Sequence, residues 1–175
     1  GSARIDEKIV PFIILPEIKI DATCVTDRTS YNSNEKVLLS AYVKNEGRNY
    51  IVPELTVKLR ILDPSGKGLL DEDKKIKNLL PGTISSLSST WDTGLSSPGD
   101  YQALVELYLE GEKILNRSVA FKIDASPIVT GHIAATPSVV DQGKALLSDY
   151  TIRNDGNTDM GGLNVKVLVI EPMIK

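Results

Sequence analysis

Apolar and polar residues alternate along much of the chain. Val37, Leu39, Ala41 and Val43 share one face of residues 36–44. Leu55, Val57, Leu59 and Ile61 share a face further on, with Thr56, Lys58 and Arg60 opposite. Tyr101, Ala103, Val105, Leu107 and Leu109 repeat the pattern after Asp100. A period of two is that of strands in an antiparallel sheet with one face buried. Shorter runs predict strands over 17–25, 76–80, 84–91 and 113–123, with 26–34 as a polar loop. Asp63-Pro64-Ser65-Gly66 is a turn: Asp opens it, Pro presets the second position and Gly suits the fourth. No window holds a 3.6-residue apolar period of helical length. The reading is seven strands between Glu17 and Ile123. That number and spacing fit an immunoglobulin-like β-sandwich. Tyr101, just after Pro98-Gly99, stands where such folds tie a tyrosine hydroxyl back to the preceding loop. Trp91 is expected to cap the core.

The pattern then starts again. Tyr150-Thr-Ile-Arg-Asn-Asp-Gly156 echoes Ala41-Tyr-Val-Lys-Asn-Glu-Gly47 at an offset of 150 − 41 = 109. Leu163, Val165, Val167 and Val169 echo Leu55, Val57, Leu59 and Ile61 at 108, and Pro172 echoes Pro64. Gly47 and Gly156 mark the shared turn. Phe12 and Ile14 fall on Phe121 and Ile123, again at 109. The fold class expected is therefore all-β: immunoglobulin-like antiparallel sandwich repeats, one complete and one partial. Residues 1–16 are read as a tag scar (Gly1-Ser2) plus the last strand of a preceding repeat. Residues 17–124 are the complete sandwich, and 125–175 the first half, about three strands, of another. Three strands bury a face only against a second sheet. The partners expected are neighbouring repeats of the same polypeptide, or a strand-exchanged homodimer completing 125–175.

Composition agrees. Seventeen Ile and 14 Val stand against 9 Ala, and branched side chains favour strands over helices. With 20 Lys and Arg against 23 Asp and Glu, there is no basic excess to neutralise phosphates, so no nucleic-acid partner is expected. One Cys and one His give neither an internal disulfide nor a two-histidine metal site. Residues 9–15 are too short, and broken by Pro11, to cross a bilayer. No transmembrane segment and no catalytic constellation is read, so the chain is not expected to be an enzyme.

Asn154-Asp-Gly-Asn-Thr-Asp-Met-Gly-Gly-Leu-Asn-Val-Lys-Val167 resembles the bacterial and archaeal immunoglobulin-like repeats of the CARDB and DUF11 type. Tyr31-x-x-Asn-Glu-Lys-Val37 with Asn45-x-Gly47, and Trp91-Asp-x-Gly94 with Pro98-Gly-x-Tyr101, fit the same group. Macroglobulin-type sandwich domains share several of these positions. The resemblance implies tandem modules of large secreted or cell-surface proteins, acting as spacers, stalks or adhesive segments. Extracellular or cell-surface localisation follows from it, with the periplasm as the other setting. The alternative is an accessory carbohydrate- or protein-binding module attached to an enzyme or secretion system.

Asp155-x-Asn157-x-Asp159 has the opening spacing of a calcium loop. Met160 stands where such a loop needs Gly, so a turn held by local hydrogen bonds accounts for it better. No cofactor is otherwise expected, and calcium there is the single metal candidate. Asp71-Glu72-Asp73 is read as a solvated loop balanced by Lys74 and Lys75, His132 as structural, and Cys24 as a small buried hydrophobe.

Overall fold

The computed structural model describes residues 8–136 and 138–169. The first module is built from β1 (Ile20–Thr26), β2 (Ser30–Tyr31), β3 (Lys36–Asn45), β4 (Val52–Leu62), β5 (Gly68–Leu79), β6 (Ile84–Asp92), β7 (Gly99–Leu109) and β8 (Glu112–Ile123). One sheet runs β1-β3-β6 and the other β2-β8-β7-β4-β5. Every pairing is antiparallel except β2 with β8. The alternation explains the packing. Val37, Leu39, Ala41 and Val43 on β3 lie in one core with Leu55, Val57, Leu59 and Ile61 on β4 and Ala103, Val105 and Leu107 on β7, all without solvent exposure. Removing such surface from water contributes about 25 cal/mol per Å2, and no disulfide assists it.

The structure departs from the alternation in three places. β2 falls inside the expected polar loop 26–34, where Tyr31 is buried. Two residues are too few for a periodic signal. β5 spans 12 residues rather than the expected 76–80 and takes in Asp71-Glu72-Asp73. Those acids therefore lie on a strand, not in a loop. β5 is an edge strand, where charge rather than apolar residues is favoured. The charges are compensated across the pair, Asp71 with Arg60 at 3.2 Å and Asp73 with Lys58 at 3.4 Å. Residues 8–15, expected as a strand, pair with no described strand, and Phe12 and Ile14 are 81% and 70% exposed. A lone segment has no neighbour to complete its backbone hydrogen bonds. Gly1-Ser2 and Pro172 lie outside the described residues.

Beyond the first module, β9 (Val129–Thr136) pairs with β10 (Leu147–Asn154). Their register couples Val129 to Asn154 and Thr130 to Arg153. The register of β1 with β3 couples Ile20 to Asn45 and Asp21 to Lys44, the same pairs shifted by 109. Residues 161–169 form no strand pair, and Leu163, Val165 and Val167 are roughly half exposed where Leu55, Val57 and Leu59 are buried. Ile133, Tyr150, Ile152, Val165 and Val167 line one open apolar cleft.

Candidate functional site

Two clusters gather the residues singled out in the sequence. The first is aromatic. Tyr101 begins the buried face of β7, and its hydroxyl donates to the Ser97 carbonyl at 2.7 Å. Its ring stacks on Phe121 at 5.6 Å and lies 5.9 Å from Trp91, which closes the group against Phe121 at 6.5 Å. Tyr101→Phe is expected to lower stability by about 1 kcal/mol, one hydrogen bond's worth. An unchanged melting temperature would show that the bond to Ser97 contributes nothing.

Tyr31 joins the cluster edge-on to Phe121 at 5.5 Å. Its hydroxyl donates to Asp27 Oδ1 at 2.6 Å and accepts from the Arg28 amide at 3.0 Å. Burial and the Asp27 bond push its pKa up to about 12. In the sequence Tyr31 stands only as a motif position. The Asp27-x-x-x-Tyr31 spacing was the signal available, since that carboxylate also receives the Leu38 amide at 2.8 Å.

The second cluster is the loop after β3 and its counterpart after β10. Asn45 Oδ1 accepts from the Gly47 amide at 3.0 Å, and its Nδ2 donates to the Tyr50 carbonyl at 2.8 Å. Asn154 does the same with Gly156 at 3.0 Å and Thr158 at 2.8 Å. Each glycine is required by close approach. A Cβ on Gly47 would strike the Glu17 carbonyl, and one on Gly156 the Ser126 carbonyl. The segments leading into β1 and into β9 are thus each pressed against such a loop. Asn157 Oδ1 accepts from the Ser126 amide at 2.7 Å, and its Nδ2 donates to the carbonyls of Asp124 at 3.0 Å and Ser96 at 3.1 Å.

Asp155 and Asn157 are held by different neighbours. Asp155 accepts from the Thr130 hydroxyl at 2.6 Å and pairs with Arg153. The Thr130 bond is the main cause holding its carboxyl below the ordinary range. Asn157 faces the linker, and Asp159 is exposed. Among the described residues no group of three or more His, Cys, Asp or Glu is placed to hold a metal. His132 lies on β9 opposite Thr151, exposed. Cys24 is buried on β1 with Sγ 3.5 Å from the Ala103 carbonyl, and burial pushes its thiol up to about 11.

One charged group escaped the sequence reading. Glu106 projects from the outer side of β7 yet is only 6% exposed. It accepts from Lys113 Nζ at 2.9 Å and from the Tyr108 hydroxyl at 3.1 Å. The Lys113 bond is the main cause of its lowered pKa. Nothing in the linear sequence marks it, because Lys113 reaches it only through the β7–β8 hairpin. A lowered carboxyl pKa stabilises the fold above the ordinary carboxylate range and loses that effect as pH falls through the lowered value. Glu106→Gln is expected to cost about 1.5–3 kcal/mol at neutral pH, with the gap to the wild type narrowing below about pH 4. Melting curves across pH check this. A gap independent of pH would assign the loss to packing.

Two sheets packed face to face around a tied tyrosine define an all-β, immunoglobulin-like sandwich module. No family model matches the chain, and no curated protein matches it. Solved structures do. The CARDB domain of a Pyrococcus furiosus protein, in complex with di-metal ions, is similar at 16% identity and TM-score 0.45 over 62% of this chain and 89% of that one. The sporulation control protein Spo0M of Bacillus subtilis is similar at 13% identity and TM-score 0.44, over 61% of this chain and 50% of that one. A β-glucosidase from Listeria innocua in complex with isofagomine is similar at 11% identity and TM-score 0.45, over 61% of this chain and 16% of that one.

Proposed function

We propose that the chain is a non-catalytic structural and interaction module: tandem immunoglobulin-like sandwiches that space or present other parts of a larger secreted or cell-surface prokaryotic protein. One observation carries the reading. The strand register and the asparagine–glycine loop of the first module recur 109 residues later with the same hydrogen bonds. A spacing of that length is about one compact domain, so the recurrence fits a second module of the same kind. The reading is also supported by how the polar residues are used. Asp155 and Asn157 are spent on holding backbone and neighbouring strand. The neighbours expected are further modules of the same kind.

The test is a titration of calcium and a panel of polysaccharides, followed by melting temperature and Trp91 fluorescence. A spacer gives no saturable shift with any of them. A saturable shift with a polysaccharide would replace this reading with an accessory carbohydrate-binding module. A shift with calcium that Asp155→Asn abolishes would establish a metal site at the loop.

A further inference from the structure

We infer that the asparagine–glycine loop is a docking surface for the end of a preceding β-sandwich module, with Asn157 as the residue that locks the two in one orientation. The surface lies at the 124–126 junction. Asp124 follows β8, and Ser96 lies in the loop between β6 and β7. Both belong to the first module, and both carbonyls accept from Asn157 Nδ2. The same side chain holds the Ser126 amide, the entry to β9. The Asn157 amide nitrogen donates in turn to the Ser126 carbonyl at 3.2 Å. One side chain thus joins the end of one module, a loop beside that end and the start of the next. Two attachment points on the first module, not one, are what fix a direction. A bond to the linker alone would let the modules swing about it.

The opposite end of the first module carries the same apparatus. Asn49 Oδ1 accepts from the Glu17 amide at 2.8 Å, and its Nδ2 donates to the Leu15 carbonyl at 3.0 Å. Glu17 and Leu15 are Ser126 and Asp124 shifted by 109, and Asn49 is Asn157 shifted by 108. Arg48 is the residue the second loop lacks. Asn49 therefore grips the incoming chain as Asn157 does, and its second N–H suits a carbonyl in the place of Ser96. Phe12 and Ile14, exposed here, stand where Phe121 and Ile123 enter the first module's core. The partner this end fits is a sandwich of the same kind whose last strand is residues 8–15.

This rests on the tandem-module reading, and the experiment separates the two. Spin labels are placed by Lys77→Cys on β5 and Thr151→Cys on β10 of the full chain, and pulsed electron resonance reads the distance between them. Cys24, buried with a raised thiol pKa, is left unlabelled. The expected wild-type distribution is narrow. Asn157→Ala is expected to broaden it at least twofold. Asn157→Asp, which keeps an acceptor for Ser126 and loses both donors, should broaden it as well. Asn49→Ala should leave that distance alone and speed hydrogen exchange at the Glu17 amide by at least tenfold. The Trp91 melting transition of the first module should be unchanged by the Asn157 variants, which excludes unfolding as the cause. A broad wild-type distribution, or equal widths for the wild type and Asn157→Ala, overturns the lock. The module reading would then still stand, because it fails only on the ligand titration.

Discussion

Tyr31→Ala is expected to remove about 3–5 kcal/mol of stability from the first module, the range for truncating a buried aromatic to alanine. Domains of this size have about 5–15 kcal/mol in all, so the melting temperature should fall by more than about 10 °C. The reason is the number of elements that meet at this side chain. The ring packs on Phe121 of β8, and the hydroxyl joins Asp27 and the Arg28 amide, so that the β1–β2 connection is tied to the core. Asp27 in turn holds the Leu38 amide of β3. Tyr31→Phe keeps the ring and should cost about 1 kcal/mol. The difference between the two variants measures the ring itself. A loss below about 1 kcal/mol for the alanine variant would place Tyr31 outside the cooperative core. Circular dichroism or Trp91 fluorescence during denaturation reads it.

Gly47→Ala is the second large effect, expected at about 3 kcal/mol, the upper end for forcing extra volume into a packed site. The added methyl would meet the Glu17 carbonyl, which is backbone and cannot rotate away. The loop is also held in place. The amides of Glu46 and Gly47 both donate to the Lys19 carbonyl, at 2.7 and 3.1 Å, and the Gly47 N–H is shared with Asn45 Oδ1 at 3.0 Å. Gly66→Ala is the contrasting control. Gly66 has a φ of 86° with open space around it, so alanine there meets only backbone strain, about 1–2 kcal/mol. Denaturant melts that rank Gly66→Ala as the more damaging change would refute the close-approach account.

The fold was legible where a strand has one dry face. β3, β4 and the first half of β7 each show a clean period of two, because one sheet face meets water and the other the core. β2 and the first half of β5 were not legible, for opposite reasons. β2 is too short to have a period, and its place is decided by Tyr31 and by β8, more than 90 residues away in sequence. β5 is long, but as an edge strand it displays charges whose partners, Arg60 and Lys58, become visible only once the register is known. The loop glycines were legible as turn residues, and their mechanism was not. Neither Gly47 nor Gly156 has a positive φ, so the need for glycine comes from the chain segment laid across it. In the sequence Asn157 stands out only for its spacing to Asp155 and Asp159. Its partners Ser96 and Asp124 lie 61 and 33 residues away, beyond what any local motif encodes.

The parallel pairing of β2 with β8 bears on what happens when the two ends are pulled apart. The chain enters the first module beside the Asn45–Tyr50 loop and leaves it at Asp124, beside Tyr31. A tensile load along the polypeptide draws β8 past β2 lengthwise. It meets the bonds from Lys122 to Thr29 at 3.0 Å and from Asp124 to Tyr31 at 2.8 Å, with the Ser30 hydroxyl on Asp124 beside them. These stand across the direction of pull, so they are sheared together instead of being unzipped one at a time. These two residues of strand add to the seven pairs of β1 with β3, which the same load must also cross.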